Sequence, residues 1–448
     1  MAASQPTAIL RGAPGQVSVM VEELGGHAAI VVRSETERDW LTAAAGEAVA
    51  AAANHALSAR MPFVGLLSAS GADVAEGVSA LQGWGKAARA LQACSGQVPI
   101  VLVAIGPVLA GPSLLLGMAD VVIMTKDALA YVSGPEAVAA MTARQIDASS
   151  LGGAPVHSRL TGLAAMVAAD EEAGMEMASD ILSFLPSNSD EAPLAGPCAD
   201  PLPRSTPQLA NLIPETSAGS YDVEEVIGEI ADDGDYIQLR ELWAPQLVTA
   251  LARIGGQPVG ILANQPKVLA GTLDIAASQK GARFVSFCDS FNLPLVTLVD
   301  TPGFLPGKDL EWRGMIRHGA QLAFAYAEAT IPRICVVLRK AYGGAYIVMD
   351  SKAMGADLNL AWPTAELAVM GAQGAAQILH RRSSPEERAA AEENYRRELL
   401  TPWIAAERGL VDAVIDPADT RTVLSSALAT LVNKQEKLRR RKHSNSPL

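Results

Sequence analysis

The sequence has few of the residues from which metal sites and nucleophilic active sites are commonly built. It holds four cysteines among 448 residues, and no two of them form a CxxC pair. That spacing excludes an ordinary zinc ribbon and argues against a disulfide framework. The six histidines form neither an HExxH motif nor another pair with metal-ligand spacing. We therefore expect no metal site.

Aromatic residues and positive charge are scarce as well. Aromatic residues make up 4% of the chain against 49% hydrophobic residues, and the formal net charge is -13. A chain rich in Ala, Val and Leu favours helices packed on parallel strands over a sandwich with aromatic inner faces. An acidic surface argues against nucleic-acid binding, because phosphate contacts need clustered Lys and Arg.

Long apolar runs and common catalytic motifs are also missing. No uninterrupted apolar run reaches the roughly 18 residues that a membrane span needs, and no signal-peptide pattern opens the chain. We expect a cytoplasmic protein that does not enter a membrane. No GxxxxGK(S/T) phosphate loop and no GxSxG elbow occur, so neither nucleotide hydrolysis nor serine hydrolase chemistry is expected.

A proline-rich segment divides the chain. Residues 186–214 hold seven prolines among Ser, Asp and Ala. Proline lacks the backbone donor and fixes φ, so this stretch should be a linker or a loop that follows the surface. We predict an amino-terminal domain over residues 1–190, a linker over 191–220 and a carboxyl-terminal domain over 221–448.

The two halves repeat one another. In each half a proline opens an apolar run of strand type, and a glycine follows 12 residues later: Pro99 leads to Gly111, and Pro332 leads to Gly344. Short apolar runs separated by helical stretches indicate βα units with buried parallel strands. We predict an α/β fold in which one domain is used twice.

The segment Arg339–Tyr346, with the sequence RKAYGGAY, is the clearest candidate for a site. Adjacent glycines after a buried strand let the backbone turn sharply and point successive N–H groups at one spot, as in an oxyanion hole. A tight turn without a ligand would use the same glycines, and the glycines alone favour that simpler interpretation. The loop Asp300–Gly307 is predicted to be rigid and to end a strand on the same side.

No acid–base pair is visible. Asp300 and Glu328 could be polar anchors near a site, but nothing marks them as a paired acid and base. His318 is more typical of a helix-surface or interface residue than of a base. Glycine turns without acid–base residues suit chemistry in which the substrate carries its own base.

Several segments of the carboxyl-terminal half are recognisable together. They resemble the carboxyltransferase (β) subunits of biotin-dependent acyl-CoA carboxylases, of the propionyl-CoA and acetyl-CoA type. The likeness runs from about Tyr221 to the end of the chain. The segments that carry it are GDYIQL from Gly234, VGILANQPKVLAG from Val259, RFVSFCDSFNLPLVTLVDTPGFLPG from Arg283, RHGAQLAFAYAEATIP from Arg317, RKAYGGAYIVM from Arg339 and AWPTAELAVMGAQGA from Ala361.

The resemblance implies two tandem crotonase-like (ClpP/crotonase spiral) domains and a homo- or hetero-hexamer with active sites between subunits. It implies that carboxybiotin, held on a separate biotin carrier and made by a biotin carboxylase, releases carbon dioxide. The biotin ureido anion then takes the α-proton of an acyl-CoA thioester, and the enolate captures the carbon dioxide. Biotin is not expected on this chain, which has no MKM-type attachment site.

The resemblance also implies two oxyanion holes. Gly344 with Ala345 would form one, and Ala110 with Gly111 would form the other. Ile347 occupies a position that tunes acyl selectivity in the family, where many propionyl-type enzymes have Asp; an apolar residue resembles the acetyl-tolerant or broader type. The substrate-binding positions implied by the motifs are Gly343, Tyr346, Ile347, Ser70, Gly71, Ala72 and Gly303.

The amino-terminal half departs from the family pattern. Residues 69–73 read ASGAD where the family has an SGGAR-type turn, so Ser70 replaces a glycine and Asp73 replaces an arginine. Ala110 also replaces a glycine, and its N–H can serve only if its φ is negative. Residues 34–41 read SETERDWL in place of a glycine-rich segment. An acid at position 73 would repel a CoA phosphate.

Three functions follow from these observations. The first is a carboxyltransferase that acts with a separate biotin carboxylase and biotin carrier. The second is a biotin-independent decarboxylase or another enolate-forming thioester enzyme of a biosynthetic pathway. The third is a non-catalytic partner subunit of a mixed carboxylase hexamer. The altered amino-terminal half leaves open whether the thioester is held on CoA or on a carrier protein.

Overall fold

The computed structural model describes residues 8–9, 16–35, 41–201, 203–214, 219–434, 436–438 and 441–447. The chain forms two compact units. The first runs to Leu194 and takes in Arg240–Trp243 and Ser290–Asn292, and the second comprises the remaining residues from Ala195 onwards. The domain bounds 1–190, 191–220 and 221–448 stay a prediction. Part of the segment SETERDWL, residues 36–40, lies outside the described residues.

The first unit contains an eight-stranded sheet with the order β1-β2-β3-β4-β5-β6-β8, and β7 pairs with β5. The pairs β1–β2 and β2–β3 are antiparallel, and the other pairs are parallel. The strands are β1 (Ala8–Ile9), β2 (Val17–Leu24), β3 (His27–Ser34), β4 (Phe63–Ala69), β5 (Ile100–Leu109), β6 (Val121–Thr125), β7 (Leu129–Tyr131) and β8 (Met166–Ala168).

The second unit repeats this arrangement strand for strand. Its order is β9-β10-β11-β12-β13-β14-β16, and β15 pairs with β13 just as β7 pairs with β5. The register between the two central strands shifts at the same place in both units. The predicted α/β repeat is therefore confirmed. The strands are β9 (Tyr236–Gln238), β10 (Leu247–Ile254), β11 (Gln257–Asn264), β12 (Leu295–Thr301), β13 (Arg333–Tyr342), β14 (Leu358–Ala361), β15 (Glu366–Ala368) and β16 (Ala413–Val414).

Helices connect the strands, as parallel pairing requires. In the first unit they are α1 (Ala43–Ala59), α2 (Val78–Cys94), α3 (Pro135–Thr142), α4 (Ala148–Gly152), α5 (Ala154–Val156) and α6 (Glu171–Leu182). In the second unit they are α7 (Val223–Ile230), α8 (Ile275–Ser290), α9 (Lys308–Trp312), α10 (Met315–Glu328), α11 (Gly343–Val348), α12 (Ala372–Leu379), α13 (Pro385–Leu399), α14 (Pro402–Glu407) and α15 (Thr420–Leu431). No helix among the described residues is long and apolar enough to cross a membrane.

From Ala195 onwards the described residues of the proline-rich segment belong to the second unit and lie along it without joining its sheet. The N–H of Gly196 donates to the carbonyl of Gly256, and the N–H of Thr206 donates to that of Ala418, each at 2.8 Å. Arg204 pairs with the buried Asp200 at 2.7 Å. These contacts agree with a loop that follows the surface, because proline has no N–H for a strand ladder.

Two glycines set the close packing of α1 on α2 in the first unit. A Cβ added to Gly46 would lie 2.3 Å from the carbonyl carbon of Gly83. Real side-chain carbons do not approach backbone atoms this closely, so the two helices can meet here only without side chains. The Ala-rich face of α1 is buried against the sheet and α2.

Replacing Gly46 with Ala should therefore destabilise the first unit. We expect Gly46→Ala to lower the free energy of unfolding by about 1–3 kcal/mol through overpacking, as measured by urea denaturation. The control is Gly85→Ala in α2, where an added Cβ meets nothing within 4 Å. That change should be neutral or stabilising, since Ala favours helices over Gly. Equal effects of the two changes would contradict the packing argument.

Candidate active site

The Gly343–Gly344 turn joins the end of a buried strand to a short helix. β13 ends at Tyr342, and α11 begins at Gly343. Gly343 has φ +61, and a Cβ there would also lie 3.2 Å from the carbonyl oxygen of Val369. Backbone conformation and space both require glycine at this position. The predicted sharp strand-to-helix turn is present.

The turn leaves backbone donors available. Gly344 and Ala345 lie in the first turn of α11, where N–H groups have no acceptor within the helix. Gly344 is exposed, whereas Ala345 is fully buried. The Gly344 amide has no helical partner and belongs to a residue without a side chain, so it can hydrogen-bond an oxyanion.

Two cavities adjoin the turn, and Gly344 and Ile347 line both of them. The larger has a volume of about 490 Å³, and the smaller has a volume of about 460 Å³. The larger is lined by Gly343, Gly344, Tyr346, Ile347, Leu367, Ala368, Val369, Tyr395, Leu399, Ile404, Ala405, Arg408 and Leu410. The smaller is lined by Phe304, Glu311, Met315, Ile316, Gly319, Ala320, Gly344, Ile347 and Val348. Both are mostly apolar.

The second cavity depends on the loop after β12. Thr301 of β12 pairs in register with Ala341 of β13, so the loop and the glycine turn leave the sheet at the same edge. Phe304 brings its ring near Gly344, where an added Cβ would lie 3.6 Å from it. Gly303 has φ +145 but is not among the lining residues that the structure describes. The sequence signal for Phe304 was its place directly after DTPG.

Asp300 anchors this edge of the sheet instead of facing a cavity. It is fully buried, and its carboxylate accepts hydrogen bonds from Arg339 Nε at 2.9 Å and from the Lys340 N–H at 3.1 Å. Burial raises the pKa of Asp300, and the nearby Arg339 acts in the opposite direction. The guanidinium of Arg339 lies 5.2 Å from the centre of the Tyr221 ring. The ion pair between Asp300 and Arg339 joins β12 to β13 next to the turn.

Tyr342 and Glu366 fix the entrance to the turn from the other side. The Tyr342 hydroxyl donates to Glu366 Oε2, and burial raises the pKa of Tyr342. The residues of both strands pair in register, Lys340 with Glu366 and Tyr342 with Ala368. The backbone position of Tyr342, directly before Gly343, is therefore fixed by these contacts.

Titratable groups are few around the two cavities. Among the described lining residues, Glu311 is the carboxylate and no histidine occurs. His318 lies on α10, where its Nδ1 is 3.1 Å from Gln279 Nε2 and its Nε2 is 3.1 Å from an Arg317 nitrogen. These partners suit a structural histidine better than a base.

The equivalent turn in the first unit differs in its donors. Ala110 has φ +55, and its N–H donates to the carbonyl of Tyr131 at 2.9 Å. A negative φ at Ala110 is required for its N–H to be available, and the observed φ is positive. The reason is that Ala110 takes the position in the first unit that Gly343 takes in the second. Pro112, two residues on, has no N–H at all. Among Ala110, Gly111 and Pro112, Gly111 is therefore the residue whose N–H is neither missing nor bonded to Tyr131.

The turn at residues 70–73 lies beside that of Ala110. Ala69 of β4 pairs with Val108 of β5, so both turns follow neighbouring parallel strands. Gly71 and Ala72 are held by the main chain of Leu41, whose N–H donates to the Gly71 carbonyl at 2.8 Å. Asp73 accepts from the Ala75 N–H at 2.8 Å and so caps a short helical turn.

The strain at Ala110 gives a direct stability test. Ala110 combines φ +55 with ψ -140, a region that glycine adopts freely and alanine adopts at a cost. We expect Ala110→Gly to raise the free energy of unfolding by about 1 kcal/mol, measured by urea denaturation. The control Ala140→Gly, within α3, should lower it by about 1 kcal/mol. A loss of stability in Ala110→Gly would show that the backbone is not strained here.

Comparison with known proteins agrees with this architecture. The family model described as the carboxyl transferase domain matches residues 24–446. The methylmalonyl-CoA carboxyltransferase 12S subunit of Propionibacterium freudenreichii subsp. shermanii is 45% identical over 399 residues, covering 88% of this chain and 76% of that protein. The propionyl-CoA carboxylase beta chain of Saccharopolyspora erythraea is 42% identical, covering 90% and 77%. The methylmalonyl-CoA decarboxylase subunit alpha of Veillonella parvula is 43% identical, covering 86% and 76%.

A solved structure is similar over nearly the whole chain. It is that of transcarboxylase 12S, a hexamer with methylmalonyl-CoA and methylmalonic acid bound; the TM-score is 0.95 at 41% identity, over 97% of this chain and 85% of that one. The tandem crotonase-like fold predicted from the sequence is confirmed. With this agreement and a family model that matches most of its length, the chain belongs to the carboxyl transferase domain family.

Proposed function

We propose that the chain is the carboxyltransferase subunit that moves a carboxyl group from carboxybiotin to the α-carbon of a short acyl thioester through an enolate. The observation that carries the proposal is the Gly343–Gly344 turn, because Gly344 lines both cavities and its N–H has no partner within the helix. A reaction between two bound groups needs such a shared point. The named activities of the relatives, carboxyltransferase and propionyl-CoA carboxylase, support it.

The residues around the turn suit a biotin ring and a thioester. Each cavity has the size of a small-molecule site, and its lining is apolar apart from a few polar groups. Gly343, Gly344, Tyr346 and Ile347 would hold one reactant in the larger cavity. When bound, carboxybiotin supplies both the carboxyl group and a basic nitrogen, which accounts for a lining without a histidine. Biotin belongs to a separate carrier in this proposal.

The amides of Gly344 and Ala345 would stabilise negative charge. An enolate and the oxygen of a biotin ring both develop such charge, and fixed backbone donors in an apolar site stabilise it without reorganisation. Ala345 is fully buried, so its N–H would contribute only if the bound reactant reaches below Gly344. Gly344 keeps the space above the donors open. Gly303, in the loop that carries Phe304, stays a predicted substrate-binding residue.

The first unit would supply a second site around Gly111. We keep Ala110 and Gly111 as its predicted oxyanion residues and Ser70, Gly71 and Ala72 as substrate-binding residues. The bond from Ala110 to Tyr131 leaves Gly111 as the stronger donor of the two. Because Asp73 replaces an arginine and would repel a CoA phosphate, activity should be compared between CoA thioesters and thioesters of shorter pantetheine carriers. The chain would assemble as a hexamer, as transcarboxylase 12S does.

Two other functions have support of their own. The relative named methylmalonyl-CoA decarboxylase subunit alpha supports decarboxylation of a malonyl-type thioester. The occupied Ala110 N–H supports a partner subunit with one incomplete half-site. The predicted domain bounds and cytoplasmic location stay predictions; cell fractionation tests the location.

A transfer assay separates the three functions. Purified chain is mixed with carboxylated biotin carrier and acetyl-, propionyl- or butyryl-CoA, and carboxylated product is measured. Transfer supports the proposal, whereas loss of carbon dioxide from methylmalonyl-CoA without biotin supports decarboxylation. If neither occurs but the chain assembles with a related carboxyltransferase subunit, the non-catalytic role gains.

Gly343→Ala tests whether the turn carries the activity. Alanine cannot easily adopt φ +61, so the amides of Gly344 and Ala345 should shift. We expect kcat/KM for carboxyl transfer to fall about 100-fold, as for loss of an oxyanion donor. Gly26→Ala is the matched control, because Gly26 has φ +85 in the β2–β3 hairpin and an added Cβ meets nothing within 4 Å. Normal transfer by Gly343→Ala would count against this site.

Ile347 offers a test of acyl selectivity. Its side chain is 40% exposed and lines both cavities. The family resemblance associates aspartate at this position with propionyl-type enzymes, so Ile347→Asp should disfavour acetyl-CoA relative to propionyl-CoA. We expect kcat/KM for acetyl-CoA relative to propionyl-CoA to fall roughly tenfold, while the control Ile347→Val changes this ratio little. An unchanged ratio would place the acyl group elsewhere.

A further inference from the structure

A buried ion pair ties the far end of α11 back to the start of β13. Asp350 lies just beyond the helix and is 0% exposed. Its Oδ1 accepts a hydrogen bond of 2.6 Å from Arg333 Nη1, and Arg333 is the first residue of β13. The strand, the glycine turn and the helix between these residues therefore form a closed segment. Gly344 and Ala345 lie within it.

This ion pair is not expected to contribute much to the stability of the fold. Asp350 has φ +59, in the left-handed region that favours glycine. Asp350 Oδ2 and Arg333 Nε are both buried without a hydrogen-bond partner. Desolvating two charges costs as much as their attraction returns unless every polar atom is satisfied. Strain and unsatisfied charge together near an active site suggest a positional role.

Because α11 is short, contacts outside the helix must stabilise it. α11 has six residues, too few to be stable by its own hydrogen bonds. Its last turn is continued by the Met349 N–H, which donates to the Ala345 carbonyl at 3.1 Å. Asp350 follows at once. The distance between Asp350 and Arg333 therefore sets how far α11 lies along β13.

We propose that Asp350 and Arg333 are positioning residues that hold the amides of Gly344 and Ala345, and the side chain of Ile347, in their working places. The inference rests on the proposed function of that turn. Neither residue lines either cavity among the residues that the structure describes, so each acts through α11.

Few groups surround the ion pair between Arg333 and Asp350, and most of them make contacts of their own. The Arg333 N–H donates to Asp357 Oδ2 at 2.8 Å, and Lys434 Nζ lies 2.9 Å from the same oxygen. The Arg333 guanidinium also donates to the Met354 carbonyl at 3.1 Å and stands 5.9 Å from the centre of the Tyr326 ring. Cys335, on β13, is buried and keeps a raised pKa beside Asp350.

Burial makes the pair sensitive to pH. It raises the pKa of Asp350 to about 7, with Arg333 acting in the opposite direction. The ionised pair is therefore complete above pH 7 and is lost as the pH falls through this value. Activity that depends on the pair should fall over the same range.

The test uses the full chain with two variants, Asp350→Asn and the double variant Arg333→Met/Asp350→Asn. Asparagine tolerates positive φ, so the helix end can keep its shape. Asp350→Asn leaves an unpaired buried Arg333 and should lower the Tm, whereas the double variant removes both charges and should recover it. We expect kcat for carboxyl transfer to fall about 10- to 100-fold in both variants, with smaller changes in KM.

The two roles differ in the double variant. Low kcat with a recovered Tm supports positioning, and recovery of kcat together with Tm overturns it. The kcat of the wild type should fall below pH 7 relative to that of the double variant; parallel pH profiles would also overturn the inference. Asp232→Asn is the matched control, since Asp232 pairs with the buried Arg421 at 2.7 Å away from α11. It should lose stability and keep kcat.

A second readout does not depend on activity. Hydrogen exchange of residues 343–348 should be faster in both variants of the Asp350 pair and unchanged in Asp232→Asn. If the wild type transfers no carboxyl group, the proposed function fails while this measurement still decides the structural role. Unchanged exchange in residues 343–348 overturns the inference whatever the assay shows.

Discussion

One backbone constraint underlies both turns: the chain must leave a buried central strand through a residue at positive φ. Gly343 meets this constraint after β13 and Ala110 meets it after β5, with φ +61 and +55. A short strand, β15 or β7, then pairs with the last residues of the central strand and holds the turn in place. The cavities, the available amides and the short helix all follow from that reversal.

Residue type and spacing were enough to predict much of this arrangement. Proline before each apolar run and glycine after it indicated the repeat, because parallel strands need buried apolar runs and the turn needs a residue without Cβ. The edge shared by the Asp300 loop and the glycine turn also followed, since parallel strands end on the same side. The motif resemblance then indicated the family, which the comparisons confirm.

Features that depend on the return path of the chain could not be predicted. Whether the Ala110 N–H is available depends on the carbonyl of Tyr131, which reaches it only once β7 pairs with β5. Phe304 reaches Gly344 because its loop folds over the turn. Arg333 and Asp350 are 17 residues apart, and nothing in their types shows that a strand and a helix bring them together. Local patterns specify conformation, whereas these contacts require the assembled fold.

The wall shared by the two cavities has a thermodynamic consequence. Gly344 and Ile347 line both cavities, so a ligand that moved this wall would alter the space left for a second ligand. Coupling between two binding equilibria is reciprocal: if one ligand changes the affinity of the second by some factor, the second changes that of the first equally. A substitution at Ile347 changes the lining of both cavities, so its effect on binding should be measured for both reactants together.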